Sequence, residues 1–157
     1  MTHPHHSLEL RIPPLLVVAI IAAAMAGVHY ALPGLSLPIP ARTVLSRLCY
    51  GLGAIVAAAG VVACHRHKTT INPFTPERSS ALVESGIYRV SRNPMYLGLL
   101  LTLVGWGIHL ANGAAFLFLP LFVLYMSRFQ IEPEERALTA TFGERFVKYQ
   151  ATVRRWV

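Results

Sequence analysis

The feature that most constrains this chain is a stretch of 33 residues, 95–127, that contains no charged side chain. As one helix this stretch would measure ~50 Å, which is too long for a single crossing of a hydrocarbon layer ~30 Å thick. Asn112-Gly113 supplies a turn signal near its middle. The stretch is therefore predicted to form a helical hairpin with arms at residues 95–111 and 114–127.

A proline and three glycines shape the expected packing of this hairpin. Pro120 should kink the second arm, because a proline within a helix removes a backbone hydrogen bond. Gly98, Gly105 and Gly107 should allow the two arms to approach each other closely.

Two further apolar runs precede the hairpin, at residues 12–32 and 44–64. Each has about the 20 residues needed to cross the hydrocarbon layer. Charged residues make up only 13% of the chain, whereas about 25% is usual in soluble domains. The sequence thus predicts an all-α integral membrane protein with four transmembrane helices, and it disfavours a water-soluble enzyme.

The C-terminal residues 132–157 follow a different pattern. Apolar side chains recur every three or four positions, and charged side chains fill most of the others, as in an amphipathic helix. The segment should form one helix, or two that are interrupted at Gly143. It is expected to lie on the membrane surface or to cap the bundle.

Lysines and arginines indicate the orientation. Residues 65–94 carry five of them and residues 128–157 carry six, whereas the connection at 33–43 carries one. Because cytoplasmic segments of membrane proteins are enriched in these residues, we expect the 65–94 loop, the amphipathic tail and both termini on the cytoplasmic side. In a bacterium this would be the inner membrane.

Several common chemistries lack their sequence signals. The net charge of +7 comes without an aromatic-interleaved basic face, so no nucleic acid partner is expected. Cys49 and Cys64 form no C-x-x-C and are interpreted as buried small residues. His65 and His67 have no companion ligands, so no metal site is predicted. No carboxylate lies within a predicted span, which disfavours a proton-coupled transporter.

Two polar clusters remain, and the first occupies residues 82–98. Asn93 and Pro94 can begin the third span as N-cap and first helical residue, and Gly86 can make the preceding turn. These structural roles leave unexplained the tyrosines and arginines around the helix start, namely Tyr88, Arg89, Arg92 and Tyr96. Backbone N–H groups at a helix N-terminus, with arginines nearby, can bind a carboxylate or a phosphate.

The second cluster is Glu132-Pro133-Glu134-Glu135. Pro133 suits the first position of a new helix, and acidic side chains in the first turn favour the helix dipole. By the predicted topology both clusters lie at the same membrane face, one offering cations and backbone donors and the other carboxylates. Such a face would suit a zwitterionic ligand, although both clusters could also serve only as helix caps.

Together the two clusters resemble the signature of the isoprenylcysteine carboxyl methyltransferase family and its relatives among phospholipid methyltransferases. The first part of the match comprises Leu82-Val83, Gly86, Tyr88, Arg92-Asn93-Pro94, Tyr96 and Gly98. After the hairpin it continues with Glu134-Glu135, Leu138, Phe142-Gly143, Phe146 and Tyr149. The match covers residues 80–157, which is half of the chain, in the expected order and spacing.

The resemblance implies an S-adenosylmethionine-dependent methyltransferase, with membrane lipids around it and a lipid-like or small amphipathic acceptor that arrives from the bilayer. It assigns to the cofactor pocket Ser80, Ala81, Leu82, Val83, Tyr88, Asn93, Pro94, Met95, Tyr96, Glu134 and Glu135. The candidates for positioning the reactants are Arg92, Asn93, Tyr96 and Arg128, and no catalytic acid or base is assigned.

Two departures from the family pattern leave the acceptor open. Asn93 stands where carboxyl methyltransferases often carry His, and an amide cannot titrate. Gln130 stands where the eukaryotic enzymes place an Arg linked to the prenylcysteine substrate. A carboxylate or thiolate acceptor needs no strong base and is mildly favoured. The alternatives are a phospholipid amine N-methyltransferase of the same architecture and a non-catalytic membrane scaffold.

Overall fold

The computed structural model describes residues 9–69 and 79–157, and the regular elements within these ranges are helices. The α-helices are α1 (Pro14–Ala31), α2 (Arg42–Arg66), α3 (Pro94–Leu110), α4 (Phe118–Met126), α5 (Glu132–Phe142) and α6 (Glu144–Thr152). Short 3-10 turns are Pro33–Leu35, Gly86–Arg89 and Gly113–Leu117. Residues 70–78 of the predicted loop, with one of its five basic residues, lie outside the described residues.

Three helical segments are long and apolar enough to cross a membrane: α1, α2 and the continuous segment Gly113–Phe142. The shorter apolar helix α3 has 17 residues, a length of ~25 Å. Helices α1 and α2 begin and end within two residues of the predicted spans, and α3 within one. The prediction of an all-α membrane protein is confirmed, while a fourth crossing by α3 stays a prediction.

The second arm of the hairpin does not end at residue 127 as predicted. A π-helical segment, Ser127–Ile131, joins α4 to α5, so Pro133 lies inside one continuous helix and does not begin a new one. In an α-helix the missing N–H of Pro133 would have bonded the carbonyl of Phe129. That carbonyl instead accepts a hydrogen bond from Leu10 N at 3.1 Å. The remote donor compensates for the proline, and the widened turn accommodates its ring.

The glycines of α3 pack mainly against α2, and this corrects the expected packing within the hairpin. An added Cβ at Gly98 would lie 2.5 Å from the carbonyl oxygen of Gly53 in α2. One at Gly105 would lie 2.8 Å from the ring of Tyr50, which also belongs to α2. Among these three glycines only Gly107 faces the second arm, where a Cβ would lie 3.1 Å from the Phe116 ring. Helix α2 is therefore the close partner of α3.

Hydrogen bonds gather the two short connections at one end of the bundle. Leu37 N donates to Ala111 O at 2.7 Å, and Asn112 Nδ2 donates to Leu32 O at 2.8 Å. The side chain of Asn112 also accepts a hydrogen bond from Ala114 N, which supports the turn predicted at this position. The loop that precedes α3 and the C-terminal helices lie at the opposite end. Pro120 lies in the first turn of α4, and the kink expected there stays a prediction.

The amphipathic tail forms two helices, α5 and α6, which meet at Gly143. This residue has φ +56° and ψ −132°, a conformation that side-chain-bearing residues rarely adopt. The turn directs Phe146 and Tyr149 of α6 toward Leu82 and Val83, with which they form a buried cluster. Helix α6 therefore caps the end of the bundle that carries the polar clusters.

Candidate functional site

A cavity of about 120 Å³ lies where the two polar clusters meet. Residues 81–83 and helix α6 contribute most of its apolar wall, and the starts of α3 and α5 contribute its charged side chains. The lining residues are Cys64, Thr69, Ser79, Ala81, Leu82, Val83, Tyr88, Arg92, Asn93, Met95, Tyr96, Glu134, Glu135, Leu138, Phe146 and Tyr149. Nine of the eleven residues assigned to the cofactor pocket by resemblance line this cavity, as does Arg92, whereas Ser80 and Pro94 lie off it.

The carboxylate of Glu134 joins α3 to α5. The Tyr96 hydroxyl donates a hydrogen bond to Glu134 Oε1, and Gln130 Nε2 donates to the same oxygen at 3.1 Å. Gln130 is only 2% exposed and lies four residues before Glu134, so both point to the same side of the continuous helix. The hydrogen bond between Tyr96 and Glu134 therefore brings the two halves of the sequence signature into direct contact.

Glu135 is held between two arginines. Arg92 Nη2 lies 3.0 Å from Glu135 Oε1. Arg155 approaches from the C-terminal segment with Nη2 2.6 Å from Oε2 and Nε 3.3 Å from Oε1. The side chains of Arg92 and Glu135 are each 12% exposed, so this pairing is largely shielded from water. Arg155 also lies 3.7 Å from Glu132, so the cluster contains two guanidinium groups and two carboxylates.

Two tyrosines support the apolar wall of the cavity. The hydroxyl of Tyr88 lies 3.2 Å from Cys64 Sγ, and its carbonyl accepts a hydrogen bond from the Tyr149 hydroxyl at 2.7 Å. Burial raises the pKa of both phenols above the ordinary value, and for Tyr88 the neighbouring thiol adds to the effect. Both side chains are therefore neutral rings with hydroxyl groups at physiological pH.

The backbone of the C-terminal residues crosses the start of α3. Asn93 stands at the predicted N-cap position, but its side chain makes no capping hydrogen bond. Its Nδ2 donates to Arg155 O at 2.9 Å. Ser91 Oγ donates to the same carbonyl at 3.3 Å, and Arg92 N donates to Arg154 O at 3.1 Å. We call residues 153–157 the C-terminal strap.

Two residues assigned to the pocket lie beside it. Ser80 Oγ donates to Lys68 O at 2.8 Å, and its backbone N–H bonds Thr69 Oγ1 at 3.1 Å, which ties the loop to the end of α2. Pro94 is buried at the start of α3, next to Gly60 of α2.

Arg128 lies outside the cavity. Its guanidinium is bound to Glu132 at 3.0 Å and to Glu9 at 3.5 Å, and its side chain is 41% exposed. Glu9 also accepts from Arg136, so it fixes the residues before α1 to the continuous helix. Arg128 is engaged in this ion-pair cluster and does not face the cavity with Arg92.

Sequence reasoning did not assign six of the lining residues to the pocket. Leu138, Phe146 and Tyr149 belong to the matched signature, but their spacing also satisfies an ordinary amphipathic helix. Cys64 was interpreted as a small buried residue, and its place at the end of a predicted span beside the loop was the available signal. The other two, Thr69 and Ser79, flank the residues outside the described ranges and had no signal.

Residues 41–145 match the phospholipid methyltransferase family. The chain belongs to this family. The family includes the isoprenylcysteine methyltransferases, so the resemblance found in residues 80–157 is confirmed. Membership and the long apolar helices together identify an integral membrane protein.

Curated relatives of this family member differ in length. An uncharacterized protein of Haemophilus influenzae is 43% identical over 63 residues, which are 40% of this chain and all of that protein. Protein-S-isoprenylcysteine O-methyltransferases A and B of Arabidopsis thaliana are each 28% identical over 102 residues, 65% of this chain and 52% of theirs. The chain thus spans about half the length of the two plant proteins. No solved structure matches it.

Proposed function

We propose that this chain is a membrane methyltransferase that binds S-adenosylmethionine in the cavity and methylates a lipid-like or small amphipathic acceptor. The observation that carries the proposal is the cavity itself, where both halves of the family signature meet. The contacts of Tyr96 with Glu134 and of Arg92 with Glu135 join these halves directly.

The lining has groups that suit each part of S-adenosylmethionine, which supplies an activated methyl group on a sulfonium when bound. The rings of Tyr88, Phe146 and Tyr149 can pack on adenine or face the sulfonium cation. The carboxylate of Glu134 can accept hydrogen bonds from ribose hydroxyls or from an ammonium group. Arg92 brings positive charge to the same cavity. A ligand of mixed charge therefore fits better than a purely apolar one.

The protein's part in such a reaction is to position two reactants and to exclude water. Helix α6 closes the cavity from the side of the tail, and residues 81–83 close it from the side of the loop. A carboxylate or thiolate acceptor needs no further help from the chain. An acceptor would enter laterally, beside the 95–127 hairpin.

The proposal includes a topology of four crossings, with α3 as the shortest. The cavity, the described parts of the 65–94 loop and the tail then share the cytoplasmic side, as the lysine and arginine distribution favours. The chain would lie in the inner membrane of a bacterium. The continuous segment Gly113–Phe142 would measure ~45 Å, so its C-terminal part would project from the membrane with Glu134.

A second candidate is methylation of a phospholipid amine, which the description of the matching family favours. An ammonium headgroup must lose a proton before it can attack. Glu134 is the lining carboxylate without an arginine partner among residues 9–69 and 79–157, so it is the group that could take this proton.

The two candidates are distinguished by reconstituting the protein in lipid bilayers with S-adenosylmethionine labelled in its methyl group. Labelled prenylcysteine or thiol product would support the first candidate, and labelled phosphatidylethanolamine derivatives would support the second. Glu134→Gln should abolish either activity. Glu144→Gln is the matched control, because Glu144 is exposed and forms no ion pair with the described residues. No transfer to any acceptor, together with no cofactor binding, would favour the scaffold alternative.

A further inference from the structure

We propose, building on the function above, that the Nε–H of Arg92 binds the carboxylate of S-adenosylmethionine. We further propose that Arg155 of the C-terminal strap is a positioning residue that keeps this donor free. One end of the cavity would then hold the anionic group of the ligand.

The first observation concerns the donors of Arg92. Its Nη2 is paired with Glu135, whereas its Nε is buried and has no hydrogen-bond partner among residues 9–69 and 79–157. The same side chain lines the cavity. Buried polar groups in folded proteins are nearly always hydrogen-bonded. A ligand oxygen in the cavity would satisfy this donor.

The second observation is the balance of charge. Glu135 is the carboxylate that contacts Arg92, and it is shared with Arg155, which also lies 3.7 Å from Glu132. Among the described residues Arg92 therefore has part of one carboxylate to balance its charge, and a ligand carboxylate would supply the rest. Elsewhere in the cavity Glu134 accepts from the neutral donors Tyr96 and Gln130 and has no cationic partner among the described residues, so a cationic group of the ligand would supply one. The two ends of the cavity therefore favour opposite ends of a zwitterion.

The third observation explains why Arg155 matters. Arginine and carboxylate groups prefer to pair through two parallel hydrogen bonds. Arg155 occupies both oxygens of Glu135, at 2.6 and 3.3 Å, which leaves Arg92 a single contact with that carboxylate. Without Arg155, Glu135 could turn to take a second N–H of Arg92. The strap carbonyl that accepts from Asn93 fixes Arg155 at this place.

Decarboxylated S-adenosylmethionine, which lacks only the carboxylate, tests the proposal by calorimetric binding to the full chain. The wild type should bind it about tenfold or more weakly than S-adenosylmethionine, since a charge-assisted hydrogen bond is lost. Arg92→Gln should remove this preference while leaving the affinity for the decarboxylated compound unchanged, which also shows that the variant is folded. Arg89→Gln, an exposed neighbour, should keep the preference.

Arg155→Gln should shrink the preference in the same way, and Arg155→Lys should restore part of it. If Arg155 has a merely structural role, Arg155→Gln should weaken the binding of both ligands equally. That result would contradict the positioning role. Arg154→Gln is its matched control, because that side chain is exposed.

Equal binding of both ligands by the wild type, or a preference that survives in Arg92→Gln, would overturn the inference and leave the proposed function standing. Failure of the folded wild type to bind either ligand would overturn both.

Discussion

Tyr88 connects three separate parts of the chain through one side chain and one carbonyl. Its hydroxyl meets Cys64 at the end of α2, and its carbonyl accepts from Tyr149 of α6. The raised pKa of both tyrosines follows from their burial in this wall. Their ionisation is therefore coupled to folding of the cavity.

This coupling predicts a loss of stability in alkaline solution. In the unfolded chain both phenols ionise near pH 10, whereas in the folded protein they keep their protons there. The folded state then binds more protons, so the free energy of unfolding falls as the pH rises past about 10. Tyr88→Phe or Tyr149→Phe should reduce this fall, measured as the midpoint of thermal unfolding at increasing pH. Tyr30→Phe, at an exposed position, should leave it unchanged; an equal effect at Tyr30 would contradict the explanation.

Single residues also show where sequence reasoning stops. The place of Asn93 before α3 could be predicted from its neighbour Pro94, because capping is local. Its hydrogen-bond partner could not, since Arg155 lies 62 positions away. Pro133 presents the same problem. A proline beside glutamates normally begins a helix, whereas the donor from Leu10 and the π-helical turn allow this one to lie within a helix.

At the scale of elements, the contact between α2 and α3 depends on paired glycines. The backbone carbonyl of Gly53 lies where a Cβ on Gly98 would be placed, and the reverse approach is equally tight. The helix that begins with the Asn93-Pro94 motif is thereby held against the helix that supplies Cys64 to the cavity. Close backbone packing of this kind needs small residues on both helices.

Gly98→Ala should therefore destabilise the protein by about 1–3 kcal/mol, because the added methyl group meets backbone that cannot move aside. Gly51→Ala on α2 is the control, since nothing lies within 4 Å of the added Cβ, and alanine favours the helix. Thermal unfolding in detergent compares the two. A Gly98→Ala protein as stable as the wild type would show that the helices are not packed as described.

The bounds of the first three helices were predictable, because the length of an apolar run and the prolines and glycines at its ends are local signals. The partner of each helix face was not. The pattern of small residues in α3 fits packing on either neighbour, and the choice of α2 depends on where its own glycines fall. The extension of the last span to Phe142 was missed for a related reason. The polar residues after position 127 were interpreted as the end of the helix, but the helix continues through them.

At the scale of the whole molecule, the described connections divide between two ends of the bundle. Leu35 lies in the turn at one end and is exposed, whereas Lys148 lies on α6 at the other end. The proposed topology places these two residues on opposite sides of the membrane, with α6 in the cytoplasm.

Labelling with a membrane-impermeant maleimide tests this arrangement in a variant whose Cys49 and Cys64 are replaced by alanine. Leu35→Cys should be labelled in intact spheroplasts, and Lys148→Cys only after the membrane is opened. Labelling of both positions from outside would contradict the four-crossing topology. The reverse pattern would contradict the orientation inferred from the basic residues.

The central claim is that the cavity holds S-adenosylmethionine through Glu134, and calorimetry on detergent-purified protein tests it most directly. S-adenosylmethionine and S-adenosylhomocysteine should bind the wild type and the Glu144→Ala control in the micromolar range, and Glu134→Ala should lose this binding. If folded wild-type protein binds neither compound, in detergent and again in a lipid bilayer, the two motifs serve only as structural caps and the account of the site is wrong.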